Sequence, residues 1–197
     1  MPQTEREEKS EIIRQKLYQM PIYQKADVIL AYVDYQSEVS TTPLIERALA
    51  EGKKVYCPTV QGEEMDFYRI MGLNELQEGY KGIREPIPEI KRKFDPEAMN
   101  AYKKVTDTEK QLYTEKKVEE KQQILMLMPG TGFDKNRHRI GYGKGFYDRY
   151  LEKYQKCQLK TIALCYEVQM VEEIPAENFD RKVQCIITEQ KLYQKKS

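Results

Sequence analysis

The chain has 197 residues, enough for one substantial core and short for two, since domains usually run to about 100 to 200 residues. Its 33 basic and 32 acidic residues leave a formal net charge of +1, which excludes a global field able to draw the protein to nucleic acid or to an anionic membrane. An anion must therefore be held by a local site.

The start, MPQTEREEKS, is charged throughout and lacks the apolar segment of a signal peptide, and the longest near-apolar run, ADVILAYV, is too short to span a bilayer. Short β-rich apolar runs then alternate with charged helical stretches. The strand candidates are VILAYV (Val28 to Val33), KVYCPTV (Lys54 to Val60), MDFYRI (Met65 to Ile70), ILMLMP (Ile124 to Pro129), TIALCY (Thr161 to Tyr166) and QCIIT (Gln184 to Thr188). Between the first two, EVSTTPLIERALAEGKK reads as a helix: Ser40 or Thr41 can cap it, Pro43 suits its first turn, and Gly52 ends it. Leu44, Ile45, Ala48 and Leu49 fall on one face of that helix. Strand, helix, strand at this spacing is the unit of an α/β fold, whose ligand clefts lie at the carboxyl ends of the strands. The segment from Lys91 to Gln123 breaks the pattern with a dense run of Lys and Glu, and is expected to be an exposed helical insertion.

Cys57, Cys157, Cys165 and Cys185 show no CxxC spacing, and Cys165 and Cys185 sit in apolar runs where a thiol behaves as a small core residue. That usage favours a reducing compartment and a cytoplasmic protein. The single histidine, His138, has no cysteine nearby, so the expectation is a solvated loop residue rather than a zinc ligand.

After the strand ILMLMP and a polar loop comes RIGYGKGFYDRY, with Gly141, Gly143 and Gly145 at every second position. Tyr147, Tyr150, Leu151 and Tyr154 follow at helical spacing. Glycines between a strand and a helix permit positive φ and close backbone approach, and successive amides at a helix start form an electropositive nest for phosphate. The named nucleotide motifs do not match: Gly145 stands where Walker A needs Ser or Thr, and Phe146 where the dinucleotide fingerprint needs glycine. Spacing alone leaves a phosphate loop and a tight turn both open. Asp148 likewise reads either as a carboxylate favoured by the helix dipole or as a magnesium ligand beside a polyphosphate.

Taken in order, LMPGTGFD, RIGYGKGFYDRYL and IPAENFD followed by IITE resemble the signature of the 5-formyltetrahydrofolate cyclo-ligases, also called methenyltetrahydrofolate synthetases. Upstream, EVSTTPLIERALAEGKKVYCP, MDFYRI and LQEGYKGIREP extend the likeness, so that it covers Glu8 to Gln190 apart from the Lys91 to Gln123 insertion. The resemblance implies a single domain over 1–197, an α/β three-layer sandwich with a Rossmann-like, mostly parallel sheet. It implies a ligase that uses ATP and Mg²⁺ to convert 5-formyltetrahydrofolate into 5,10-methenyltetrahydrofolate. A formamide oxygen leaves poorly, so the family is understood to transfer the γ-phosphoryl of ATP onto it before N10 of the folate attacks and phosphate departs. Such chemistry asks mainly for positioning and charge stabilisation, which fits a chain without a Ser/His or Cys/His constellation.

By the same resemblance Arg139, Ile140, Gly141, Tyr142, Gly143, Lys144, Gly145, Phe146 and Tyr147 form the ATP loop, with Lys144 and Tyr147 as catalytic residues. Val33, Glu38 and Met65 line the folate together with Tyr142, Gly143, Lys144, Gly145 and Phe146, and Tyr68 is a further candidate for that wall. Glu38 would accept paired hydrogen bonds from the pterin. Asp148 and Asp180 would hold Mg²⁺. The expected partners are small molecules alone, with neither nucleic acid nor membrane, and a monomer is expected with a weak dimer as the alternative.

Three departures from the family pattern stand out. The family usually begins with an additional helix carrying a Lys and an Arg that reach ATP, whereas this sequence starts at what resembles the end of that region. Tyr142 stands where the family has arginine, removing a bidentate phosphate donor. Arg137 stands where glycine is usual, so it either strains the backbone or bends the loop differently, and its guanidinium could replace the lost arginine. A folate- or nucleotide-binding paralogue with little or no catalysis is therefore the alternative function. A sugar-phosphate isomerase or coenzyme A transferase on a similar sheet relies on other catalytic residues.

Overall fold

A computed structural model describes residues 1–97, 122–175 and 181–195. In chain order the elements are helices α1 (Gln3–Gln19) and α2 (Pro21–Gln24), strand β1 (Val28–Leu30), helix α3 (Thr42–Ala50), then strands β2 (Lys54–Gln61), β3 (Glu64–Ile70), β4 (Leu76–Glu78), β5 (Arg84–Pro86), β6 (Ile124–Met128), β7 (Gly132–Asp134) and β8 (Arg139–Ile140). Helix α4 (Phe146–Lys153) follows, with β9 (Leu159–Leu164), β10 (Met170–Val171), β11 (Cys185–Ile187) and β12 (Leu192–Gln194).

All six apolar runs enter one seven-stranded sheet of order β12-β11-β9-β6-β1-β2-β3. From β11 to β2 the neighbours are parallel. The edge strands β3 and β12 are antiparallel, so MDFYRI returns in a hairpin rather than adding a parallel strand. The central strand β6 is buried at every position, which is why ILMLM is a continuous apolar run instead of an alternating one.

Strand alternation sorts the core into two layers. Leu125 and Leu127 join Ile13 and Leu17 of α1 and Leu44, Ile45 and Ala48 of α3 on one face. Ile124, Met126 and Met128 face the other way, into a cluster with Phe67, Phe133 and Tyr150 of α4. Met65 belongs to this second layer. Residues three apart in a strand lie on opposite faces, and Tyr68 accordingly faces away from Met65. It bridges to Lys93 and does not line the cavity that Met65 lines.

One further expectation is corrected. Helix α3 starts after Thr41 and carries Pro43 in its first turn, but no hydroxyl caps it. The cap comes from Asp34, whose Oδ1 accepts from the amides of Thr41 at 2.8 Å and Thr42 at 3.1 Å. Gly52 does terminate the helix, at φ +77°. The described beginning of the charged insertion packs against β3: Lys93 Nζ sits 2.6 Å from Asp66, and Phe94 is buried at 1% exposure. Residues 98–121, the bulk of the insertion, lie outside the described residues.

Candidate active site

Beyond the carboxyl ends of the parallel strands opens a cavity of about 760 Å³. Tyr32 and Val33 reach it from the end of β1, Pro129 from the end of β6, and the whole stretch from Arg139 to Arg149 lines its far side. Val33, Glu38, Met65, Arg139, Ile140, Gly141, Tyr142, Gly143, Lys144, Gly145, Phe146, Tyr147 and Asp148 thus meet in one cleft. Asp180 lies outside the described residues.

The glycine loop runs from β8 into α4. Gly143 and Gly145 have φ of +78° and +63°, the left-handed region that a side chain strains. Gly145 is the residue from which α4 starts, and Asp148 falls in the first turn. Arg149, one turn in, holds the loop shut from outside: its Nη1 donates to the Lys144 carbonyl at 2.6 Å and its Nη2 to the Glu63 carbonyl at 2.8 Å in the β2–β3 hairpin. Lys144 itself is exposed and has no ion-pair partner among the described residues.

Arg139 reaches beneath the loop. Its Nη2 donates to Asp148 Oδ2 at 2.8 Å, the arginine side chain only 4% exposed, and its guanidinium lies 5.6 Å from the Tyr147 ring. Its buried Nε has no partner among the described residues. A buried donor without an acceptor is costly.

Across the cavity, Glu38 Oε2 accepts from the Tyr35 amide at 2.8 Å. Burial pushes this carboxyl up to about 7, opposed by the hydrogen bonds from the Tyr35 amide and the Tyr142 hydroxyl, while Asp34 adds like charge. The phenol of Tyr142 is raised in turn by its own burial and by Glu38. So the residue standing in place of the family arginine turns its hydroxyl towards Glu38. Tyr147 is also raised, by burial first and by the Glu38 charge second, which keeps it a neutral phenol.

Arg137 does adopt the strained conformation, at φ +70°. It is absent from the cavity lining, and its charge is felt at Cys185 instead. It therefore does not substitute for the arginine missing at position 142. His138 is corrected as well: its ring is locked on the buried Asp134 at 2.8 Å and is no free loop residue.

Four contributors carried no assignment in the sequence. Tyr80 and Lys81 line the cleft, Tyr80 edge-on to Phe146 at 6.2 Å. Glu85, 7% exposed, lines it too, its carboxyl raised by burial. Arg149 was visible only as part of FYDRY. The signal for the first three was EGYKGIREP, two glycines bracketing an aromatic and a cation ahead of an isolated carboxylate.

An α/β sheet with a glycine loop opening a helix at its carboxyl edge, facing a half-buried carboxylate across one cavity, fits a nucleotide-handling enzyme whose cleft has room for a second small molecule. The 5-formyltetrahydrofolate cyclo-ligase family matches residues 1–101 and 96–189, and the chain belongs to that family of ATP-dependent ligases. A probable 5-formyltetrahydrofolate cyclo-ligase of Schizosaccharomyces pombe is 28% identical over 193 residues, covering 91% of this chain and 83% of that protein. The mouse 5-formyltetrahydrofolate cyclo-ligase is 27% identical over 201 residues, 94% of this chain and 84% of its own. Among solved structures, the 5,10-methenyltetrahydrofolate synthetase of Aquifex aeolicus superposes with a TM-score of 0.71 at 27% identity, over 98% of this chain and 84% of that one. Among the described residues no helix is long and apolar enough to cross a membrane.

Proposed function

We propose that the protein closes 5-formyltetrahydrofolate to 5,10-methenyltetrahydrofolate at the expense of ATP, with the folate against Glu38, Val33 and Met65 and the triphosphate on the loop from Arg139 to Tyr147. The observation that carries this reading is that the glycine loop and Glu38 face one another across a single cavity. Family membership supports the chemistry.

The γ-phosphoryl of ATP moves to the formyl oxygen and ADP leaves. N10 attacks the formyl carbon, the carbon–oxygen bond breaks with phosphate as leaving group, and the N10 proton is lost. In this sequence of steps the ionised Glu38 accepts from the amino and ring N–H groups of the pterin and fixes its orientation. Lys144 and the loop amides offset the charge of the transferring group, Arg139 holds Asp148 beneath the loop, and the neutral Tyr147 closes the floor against water. Catalysis then rests on alignment and fixed charge.

Mg²⁺ fits the donors present. Asp148 offers a hard carboxylate oxygen in the cleft and Glu152 stands one turn further along α4 on the same lining. No three described His, Cys, Asp or Glu residues could hold a metal by themselves, and Mg²⁺ commonly completes its shell with substrate phosphate oxygens. Bound there, it would neutralise developing phosphate charge. Asp180 is a second ligand in this proposal. Measuring ATP consumption dependent on both magnesium and 5-formyltetrahydrofolate tests the reading, and ATP hydrolysis indifferent to the folate would refute it. Loss of Lys144 should raise KM for ATP about tenfold, the equivalent of one charge-assisted contact, and raise KM for the folate less.

A further inference from the structure

Asp134 is the one charged side chain at 0% exposure among the described residues, and nothing in the proposed reaction uses it. An isolated carboxylate at that depth would be expensive, so its partners reveal what it is for. Oδ1 accepts from the His138 amide at 2.9 Å. Oδ2 lies 2.8 Å from His138 Nδ1 and accepts from the Ile174 amide at 3.1 Å. A carboxylate only accepts, so Nδ1 carries the proton in this pair. Burial, which would raise the Asp134 carboxyl, is outweighed by the hydrogen bonds from His138 and Ile174, and the group is held below the ordinary range.

These partners join two stretches that are far apart in sequence. Backbone bonds close the turn between β7 and β8 as well, from Asp134 N to the His138 carbonyl and from Arg137 N to the Asp134 carbonyl. The residue after His138 is Arg139, whose guanidinium lies under the glycine loop on Asp148. On the other side, Ile174 and Pro175 form a lip of the same cleft. The Ile174 amide is fixed by the carboxylate that also fixes the turn launching Arg139. Strand β10 pairs beside β7 in the same small sheet, Val171 against Asp134, so the lip is tied at two points.

We infer that Asp134 and His138 are positioning residues for the nucleotide half of the cleft, holding Arg139 and the Ile174–Pro175 lip in one register through a single buried carboxylate. His138 touches no ligand in this scheme and acts through Asp134. The folate wall at Val33, Glu38 and Met65 comes from other elements, β1 with its following loop and β3, and meets the pin only through the glycine loop.

This inference rests on the ATP reading, and the experiment separates the two. The whole chain is titrated calorimetrically with ATP and, separately, with 5-formyltetrahydrofolate, for the unchanged protein and for Asp134→Asn, His138→Phe and His138→Asn, with thermal unfolding recorded in parallel. Asp134→Asn and His138→Phe should weaken ATP about tenfold, since one charge-assisted bond is lost from the pin, and leave folate affinity within about twofold. His138→Asn keeps a side-chain N–H donor and should restore ATP affinity to within about twofold of the unchanged protein. Equal weakening of both ligands, or a lowered melting temperature with both affinities intact, would show that the network serves the fold alone. Should Asp134→Asn fail to fold, the two His138 variants decide the matter. An unchanged protein that binds folate and not ATP would refute the nucleotide reading itself.

Discussion

Replacing Glu38 by Gln should make the protein more stable and a poorer enzyme. Burial raises this carboxyl from an ordinary 4.5 to about 7, and at about 1.4 kcal/mol per pH unit the ionised form opposes folding by up to about 3 kcal/mol at pH 8. The sign follows from the direction of the shift. A carboxyl raised in the folded state imposes no penalty below its unfolded value, and the penalty grows as pH climbs from about 4.5 to about 7, above which it is complete. Glutamine fills the same space without charge, and its side-chain oxygen can still accept from the Tyr35 amide. Its gain should be largest at about pH 8 and vanish near pH 4.5, and at roughly 2 to 4 °C per kcal/mol it amounts to several degrees. Folate binding moves the other way, because the amide cannot accept from both pterin donors. A loss of one or two charge-assisted bonds predicts KM for 5-formyltetrahydrofolate raised roughly tenfold to a hundredfold. Thermal unfolding across pH and steady-state kinetics measure both effects. A lower melting temperature for Glu38→Gln at pH 8, or an unchanged folate KM, would refute the assignment.

In the unchanged protein, folate affinity should rise about tenfold between pH 6 and pH 8, as the fraction of ionised Glu38 grows. Tyr142→Phe removes a hydrogen bond that favours the ionised carboxylate, so the same rise in folate affinity should be displaced to higher pH, as a pH titration of binding would detect. Asp34→Ala uncovers the first amides of α3 and should cost about 1 to 2 kcal/mol in denaturant unfolding. Asp148→Asn should raise the magnesium concentration needed for half-maximal turnover while leaving folate affinity measured without ATP unaltered.

The middle of the sheet was legible because β1, β6 and β11 bury both faces, so each writes a short apolar run into the sequence whatever its neighbours are, whereas the largely exposed edge strand β12 writes none. The direction of pairing carries no such mark, and MDFYRI reads the same whether it runs parallel or returns in a hairpin. Helix α1 left little trace for a different reason. Its buried face is Ser10, Ile13, Arg14, Leu17 and Tyr18, and two of those five are polar residues with partners far away in sequence: Ser10 pairs with the Tyr166 hydroxyl at 2.8 Å, and Arg14 Nη1 donates to the Ser40 carbonyl at 3.0 Å. A helical stripe interrupted by Ser and Arg looks like solvated surface until its distant partners are placed. The small sheet of β10, β7 and β8 is built from strands of two or three residues, too short to show any period, yet it carries Asp134. Within the site, glycine spacing announced the loop, while EGYKGIREP marks Tyr80, Lys81 and Glu85 as a turn without saying that topology carries it to the cleft.

The glycine loop touches both halves of the cleft, and the choice of residue at position 142 follows from that. An arginine there could serve the phosphates with a bidentate fork, but in this chain the side chain turns to Glu38. A guanidinium in that pose would form an ion pair with the carboxylate and occupy the acceptors proposed for the pterin. Tyrosine offers one hydroxyl, which a pterin presenting two donors can displace. In the proposed division of labour the phosphates are then left to Lys144 and the loop amides, which line the same cleft. Folate entry, by taking Glu38 from Tyr142, would release the tip of the loop while Arg149 still holds its base to the β2–β3 hairpin. One segment fixed at its base and freed at its tip can follow the formyl group without losing the phosphates, and that is the positional demand of transferring a phosphoryl group between two bound molecules.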